Sequence, residues 1–480
     1  MIRSRPAIRS LIADPMTLLL LGGLLTLPLS CDSGPPAPPV AGLWEGTLQF
    51  PAFSMRVVLR VSASPDSGLS AAVVRPDAGP AELPAAGVTW EGERIRLDIP
   101  ALHAHLSARL APGGDALLAR WEDPLGAQAL ELERVGEIRF PRRPQTPHPP
   151  FPYRVEDVRF ESPAAAAVLA GTLTRPETEE PVAAVVLVSG VGGHDRDGTL
   201  FGHRPFLVLA DHLTRRGLAV LRYDDRGIGA SKGERRGATT ADFTADALAA
   251  VRFVRAHPAI DSTRVGIIGH SEGGTIASLA AAETQEVAFI IMLAAPGLAG
   301  REYNLQFERA MGAVRGEGER AAAERAAFQE QILDLLLSVE DDEDARAALK
   351  RFLVDLKPPL PPERIAAALD RFLSPWFRFN LRHDPAVTLG ALTCPVLAVI
   401  GEKDRQVPAA PNLRAIEAAL QAGRCASYEV VALPGLNHLF QTAATGAPSE
   451  YGAIEETLAP RLLTLVADWL VRHAGGAGGR

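Results

Sequence analysis

Arg264-Val-Gly-Ile-Ile-Gly-His-Ser-Glu-Gly-Gly-Thr-Ile-Ala-Ser-Leu-Ala-Ala-Ala-Glu283 sets a Gly-x-Ser-x-Gly turn between two elements of different period. Val265–Ile268 reads as a short buried strand, and the small residues of Gly274–Ala282 read as a closely packed helix. A serine in such a strand-to-helix turn is forced into a sharp bend, and the flanking glycines admit the close backbone packing the bend requires. The bend holds the hydroxyl out of the sheet, at the positive end of a helix. The pentapeptide alone decides little, because Gly229-Ala-Ser-Lys-Gly233 also fits it. That second match follows Tyr223-Asp-Asp-Arg-Gly227 and runs into Glu234-Arg-Arg-Gly237, where no helix begins, so it reads as a loop. Context selects Ser271.

Outward from this turn, aliphatic runs alternate with amphipathic stretches. Tyr153–Ser162 and Val168–Thr174 read as a strand pair; further strands are expected at Val182–Ser189, Leu218–Tyr223, Ala288–Ala295, Pro395–Gly401 and Tyr428–Leu433. Helices are expected at Pro205–Arg216, Ala241–His257, Pro411–Gln421 and Ala453–His473. Continuous aliphatic strands joined by helices imply an α/β fold with a mostly parallel sheet covered on both faces. Residues 300–384 break the rhythm. They are helix-rich and charged, and they carry Phe372, Trp376, Phe377 and Phe379. Such an insertion between two sheet strands reads as a helical cap over a pocket, although an aromatic cluster of this kind is more often core than lining.

A serine hydroxyl needs a base to accept its proton, and the base needs an acid to orient it. In a sheet of this type both should follow later strands, in the order serine, acid, histidine. The strand Val396–Ile400 leads into Gly401-Glu-Lys-Asp404, which presents Asp404, with Glu402 as the nearest competitor. The strand Tyr428–Leu433 leads into Pro434-Gly-Leu-Asn-His438, which presents His438. Asp224 and Asp225 precede the serine and fit the order less well. Two backbone N–H groups should receive a developing oxyanion. Glu272, the residue after the serine, supplies one. The Gly-rich segment Ser189-Gly-Val-Gly-Gly-His-Asp-Arg196 supplies the other, at Val191. A phosphate loop would end in Gly-Lys-Ser/Thr, which this segment lacks.

Together, Ser189–Arg196, Arg222-Tyr-Asp-Asp-Arg-Gly-Ile-Gly-Ala-Ser231, the Ser271 turn, Gly401–Asp404 and Asn437-His438 resemble the motifs of the α/β-hydrolase superfamily. The resemblance covers residues 153–475 and is to bacterial exported two-domain esterases and serine-aminopeptidase-like hydrolases. It implies an α/β-hydrolase fold with Ser271, Asp404 and His438 as a catalytic triad, and an architectural role for Asp225 and Arg226. It implies no cofactor and no metal.

The rest of the chain partitions around this unit. Arg3, Arg5 and Arg9 followed by the apolar Thr17–Leu29 form a signal peptide over residues 1–30, too short for a comfortable membrane span. Residues 31–39 are a Pro-rich tether beginning at Cys31, an arrangement that resembles a bacterial lipoprotein signal with Cys31 as the lipidation site. An imperfect feature is Pro28, where that pattern prefers a large aliphatic residue. The chain is therefore expected in the periplasm or tethered to an envelope membrane. Residues 40–136 carry about eight short alternating strands separated by turn signals, which argues for a small all-β barrel or sandwich. Trp44-Glu-Gly46 and this strand rhythm resemble the first domain of the two-domain esterases. Residues 137–152 are a stiff Pro-rich linker.

Composition narrows the function classes. The 480 residues hold 49 Lys and Arg against 57 Asp and Glu, a formal charge of −8, which disfavours a nucleic-acid partner. Three cysteines exclude a disulfide scaffold and a four-thiolate metal site. Cys394 and Cys425 precede the last two sheet strands, and their pairing is left open. The expected function is a serine carboxylesterase acting on a small acyl ester. An amide or peptide hydrolase using the same triad is the alternative, for which the acidic run Glu340–Asp344 is a candidate amine-binding carboxylate. An exported binding protein on the same fold is the third reading. Neither acyl length nor oligomeric state is legible.

Overall fold

A computed structural model describes residues 38–474, except 51–53, 65–67, 125, 163–166 and 426. The signal peptide, Cys31 with most of the tether, and the extreme C-terminus lie outside the described residues.

Nine strands, β1 (Gly42–Gln49), β2 (Ser54–Ser64), β3 (Gly68–Val74), β4 (Glu82–Pro84), β5 (Ala86–Glu91), β6 (Arg94–Ile99), β7 (Ala104–Leu110), β8 (Ala116–Asp123) and β9 (Gly126–Val135), form one antiparallel sheet in the order 4-3-2-1-9-8-7-6-5. That is one strand more than the sequence rhythm suggests, because the three-residue β4 is too short to show a period. The sheet curls until β3 lies against β5 and β6, and Ala85 N–H donates to Ala71 C=O at 2.9 Å. The result is a barrel rather than a two-sheet sandwich. Strict alternation on β6 and β7 sends Ile95, Leu97, Ile99, Leu106 and Ala108 inward against Trp44 and Trp121.

The second sheet has eight strands: β10 (Arg154–Ser162), β11 (Ala167–Arg175), β12 (Val182–Val188), β13 (Ala219–Tyr223), β14 (Ile260–His270), β15 (Ile290–Leu293), β16 (Val396–Gly401) and β17 (Tyr428–Leu433). Their order is 10-11-13-12-14-15-16-17, antiparallel across the first two pairings and parallel thereafter. The near-continuous burial of β12 and β16 follows from helices on both faces. One face holds helices α2 (Thr240–Arg255), α3 (Glu272–Glu283) and α10 (Ala409–Ala422); the other holds α1 (Pro205–Thr214) and α11 (Pro460–Ala474). Helix α11 starts seven residues later than Ala453, since the segment before it is turn and irregular structure and Pro460 sets the first helical turn.

Between β15 and β16 the chain makes six helices: α4 (Gly300–Val314), α5 (Glu319–Ser338), α6 (Asp342–Val354), α7 (Pro362–Phe372), α8 (Pro375–Arg382) and α9 (Pro385–Ala391). Helix α9 packs on the main core, while α4 to α8 enclose a small core of their own around Leu333, Leu336, Leu349, Phe372 and Phe377. The acidic run Glu340–Asp344 caps α6, with Asp341 accepting from the Glu343 and Asp344 amides. Cys394 and Cys425 are free thiols. Cys425 Sγ lies 3.2 Å from Cys394 C=O, and burial pushes the Cys394 thiol up to about 11.

Candidate active site

Ser271 sits between β14 and α3 at φ 56° and ψ −120°, a backbone region that costs a non-glycine residue energy. The surroundings fix it there. Its N–H donates to Leu293 C=O at 2.7 Å. A Cβ at Gly269 would lie 1.9 Å from Gly273 C=O, and one at Gly273 would lie 2.2 Å from Val188 C=O. Both glycines are thus demanded by backbone passing backbone. Ser231, the serine of the second Gly-x-Ser-x-Gly match, is buried instead; its Oγ donates to Asp224 C=O at 2.7 Å and accepts from Ala170 N–H at 2.8 Å.

The structure brings Asp404 and His438 together. Asp404 Oδ2 lies 2.7 Å from His438 Nδ1, and both residues are at most 5% exposed. Asp404 Oδ1 accepts from Gln406 N–H and Val407 N–H, each at 2.8 Å, so the carboxylate is held from both sides. Glu402 is exposed, with Oε2 accepting from Gly435 N–H at 3.1 Å, and takes no part in this pair. Ser271 and His438 line the same cavity, of about 640 Å³. Among the described residues no hydrogen bond engages Ser271 Oγ. His270 lies beside His438, ring centroids 4.9 Å apart, and its Nε2 is 2.9 Å from His438 C=O. Burial and then the neighbouring His438 push His270 down to about 3.

The Gly-rich loop after β12 passes close to the serine: a Cβ on Gly190 would lie 3.0 Å from Ser271 Cβ. Val191 and Gly190 line the cavity. The loop is braced from behind by Asp225, which accepts from Ser189 Oγ at 2.7 Å and from His194 N–H at 2.9 Å. Arg235 adds a hydrogen bond to Gly192 C=O. Asp225 is held above its usual range by burial, against the pull of these donors. Arg226 is buried and pairs with Asp246 at 2.7 Å. The Glu272 side chain meets α2 and α8, with Oε1 accepting from Thr240 Oγ1 and from Trp376 Nε1, both at 2.6 Å.

The cavity wall is largely apolar and carries several aromatic rings. Phe201, Phe206 and Phe440 come from the sheet unit; Tyr303, Phe307 and Trp376 come from the helical insertion. Of the aromatic cluster in the insertion, Trp376 and Phe377 reach the cavity, Phe372 is core, and Phe379 stacks on His383. Among the described residues no Asp or Glu lines the cavity. Sequence reasoning missed a polar cluster on this wall: His203, Gln441 and Thr457, all buried. His203 Nδ1 lies 2.9 Å from Thr457 Oγ1, and its Nε2 lies 3.0 Å from Tyr451 C=O and 2.9 Å from Gln441 Nε2. Asn437 Nδ2 donates to Gln441 Oε1 at 2.9 Å, tying this cluster to the residue before His438. His203 lies more than two hundred positions from Gln441 and Thr457, and nothing in local pattern connects them. Among the described residues no group of His, Cys, Asp and Glu could hold a metal ion.

A family model described as serine aminopeptidase, S33, matches residues 179–345. An esterase, EstD, of Thermotoga maritima is 27% identical over 309 residues, covering 63% of this chain and 66% of its own length. An uncharacterised 31.7 kDa protein of Escherichia coli is 25% identical over 279 residues, covering 55% of this chain and 84% of its own length. Among solved structures, the α/β-hydrolase GrgF of a Penicillium species aligns at 19% identity and TM-score 0.42, covering 67% of this chain and 99% of that one. A Pyrococcus furiosus esterase aligns at 15% identity and TM-score 0.44, covering 67% and 92%. The sheet order, the serine turn at its centre and the matched family model make the chain similar to the α/β-hydrolases, an esterase among its relatives.

Proposed function

We propose that this protein is a serine carboxylesterase in which Ser271 is the nucleophile, His438 the base and Asp404 the acid that orients it. The observation that carries this reading is the bond between His438 and a doubly held Asp404, on the cavity that Ser271 lines from its strained turn. Asp404 fixes the proton on Nδ1, which leaves Nε2 free to accept the proton of Ser271 Oγ as it attacks the acyl carbonyl. The oxyanion of the tetrahedral intermediate is received by the backbone N–H groups of Glu272, at the start of α3, and of Val191. Protonated His438 then passes its proton to the leaving alcohol, and water repeats the sequence on the acyl-enzyme.

The cavity lining favours an ester over an aminopeptidase substrate. A free α-amino group is best held by a carboxylate, and among the described residues none lines the cavity. Its largely apolar wall suits an apolar acyl or alkoxy group. The helices of residues 300–384 serve as the cap, contributing Tyr303, Phe307 and Trp376 to that wall. Export by the N-terminal signal and tethering through a lipidated Cys31 are proposed from sequence. Labelling by a fluorophosphonate, lost in Ser271→Ala together with on the order of 10⁶ in kcat, tests the nucleophile. A panel of aryl esters beside aminoacyl arylamides tests the substrate class. Ester turnover that survives Ser271→Ala refutes the triad; faster release from the arylamides transfers the assignment to an aminopeptidase.

A further inference from the structure

Between the barrel and the sheet unit, the Pro-rich linker does more than span a gap. Arg143 Nη2 donates to Phe201 C=O and to Gly452 C=O, each at 2.7 Å, and Nη1 donates to Ile454 C=O at 3.1 Å. Two residues on, Gln145 Oε1 accepts from Thr457 N–H at 2.6 Å and from Leu458 N–H at 3.1 Å, while Nε2 donates to Leu458 C=O at 2.7 Å. All six bonds go to backbone atoms of two loops, one at Phe201 and one from Gly452 to Leu458. These loops hold Phe201, Tyr451, Thr457 and Leu458 in the cavity wall. Phe201 itself stands at φ 52°, a conformation that needs support from outside the loop.

The barrel joins the same arrangement. Asp77 packs so closely on Gly452 that a Cβ there would lie 2.8 Å from Asp77 Cβ. Arg56 of β2 pairs with Asp77 at 2.9 Å and also donates to Arg139 C=O at 3.1 Å in the linker. From the held loops, Tyr451 C=O and Glu456 C=O accept from Gln441 Nε2, and Gln441 bonds to Asn437, next to His438. Backbone carbonyls and amides of a loop have no shape of their own to keep. Here a planar guanidinium and an amide, each able to make several directed bonds at once, determine where they sit.

We infer that Arg143 and Gln145 are positioning residues for the active site: the linker straps down the two loops that form one wall of the cavity, and the barrel anchors that strap. The inference rests on the ester-hydrolase reading of the same cavity. The barrel is then part of the support of the catalytic unit.

The full-length chain and its R143A, R143K and Q145L variants test this with acetyl and long-acyl aryl esters, alongside fluorophosphonate labelling and melting curves. R143A and Q145L are expected to raise KM for the long-acyl ester about tenfold or more while changing KM for the acetyl ester several-fold less, as displacement of a wall by a fraction of an ångström requires. R143K does not rescue, because a single ammonium cannot reach three carbonyls in a fork. Q145L carries the test alone if R143A does not fold. Lowered melting temperatures with kcat and KM unchanged on both esters would overturn the strap, and so would full rescue by R143K. A wild-type chain that no fluorophosphonate labels overturns the hydrolase reading itself, and the strap with it.

Discussion

Trp376 Nε1 donates to Glu272 Oε1 at 2.6 Å, fixing a cavity-lining ring of α8 to the residue that follows Ser271. Thr240 Oγ1 donates to the same oxygen at 2.6 Å and itself accepts from Asn380 Nδ2 at 2.8 Å, one turn along α8. The helical insertion is thus joined to the serine turn through one buried carboxylate. Burial raises Glu272 above the usual carboxylate range, and the two donors oppose that rise. Trp376 also borders a neighbouring space of about 160 Å³ beside Val191 and Arg235. With Val191 and Ser374 it borders both volumes, next to the proposed oxyanion amides.

Removing that ring should change which acyl groups fit. Trp376→Ala is expected to move the preferred acyl group towards longer or branched chains, and Glu272→Ala to move it the same way by releasing the ring. Trp376→Phe keeps the bulk but leaves a buried carboxylate one donor short, at a cost of about 1–3 kcal/mol in stability. The measurement is kcat/KM over a chain-length series for each variant. Profiles parallel to wild type would remove Trp376 as a size determinant.

The serine turn should tolerate no added methyl group. Gly273→Ala sets a Cβ against Val188 C=O at 2.2 Å, and backbone on a central strand cannot retreat. The expected loss of stability is on the order of 3 kcal/mol or more, with loss of fluorophosphonate labelling. Gly237→Ala is a useful contrast, because nothing lies within 4 Å of its Cβ and only its φ of +82° opposes the change. Urea unfolding of the two variants reads the difference; equal midpoints would mean that the turn is less tightly packed than its geometry implies.

Stability should fall on mild acidification. Burial and then the charge of Arg143 push His203 from 6.5 down to about 4, while His270 stands near 3. In the unfolded chain both titrate near 6.5, so between about pH 6.5 and pH 4 the unfolded state binds more protons and is favoured as pH drops. The contribution of a neutral His203 is complete above the unfolded value and is lost as pH falls towards the folded one. From pH 7.5 to pH 5 that is about 2 kcal/mol for one histidine. Urea unfolding at pH 7.5 and pH 5 should show a smaller decline in His203→Gln than in wild type. An identical decline would mean that His203 takes up its proton in the folded state.

Legibility in the sequence followed interaction range. Ser271, Asp404 and His438 each stand at the end of an aliphatic run, and a buried parallel strand announces itself by composition within six or seven residues. Glu402 and Asp404 follow the same strand and differ only in which way the turn after β16 faces them: Asp404 meets His438 and Glu402 meets the Gly435 amide. The alternating charges of β6 and β7 show the barrel, whereas β4 is too short to show anything. His203 reads as a surface histidine because its partners Gln441 and Thr457 lie 238 and 254 positions away. Arg143 and Gln145 sit among prolines, where a linker is the local reading, and their bonds to Phe201 and Leu458 exist only once the sheet unit has folded. Long-range polar pairing leaves no period to find.

Asp404→Asn should separate charge from shape at the base. The Gln406 and Val407 amides donate to Oδ1, so an asparagine must keep its carbonyl oxygen there and turn its NH₂ towards His438 Nδ1. That nitrogen then has to accept, which moves the imidazole proton to Nε2, the atom that should receive the proton of Ser271. The ring keeps its place and loses its function, and a loss of about 10⁴ in kcat is expected, with fluorophosphonate labelling slowed in parallel. Melting should change little, because the replacement is isosteric and its two backbone partners are retained. Glu402→Gln is the control, since among the described residues its carboxylate meets only the Gly435 amide, at 3.1 Å. A Glu402→Gln variant as damaged as Asp404→Asn would reverse the assignment of the acid. An Asp404→Asn enzyme within tenfold of wild type would mean that His438 takes its orientation from elsewhere, His270 being the nearest ring.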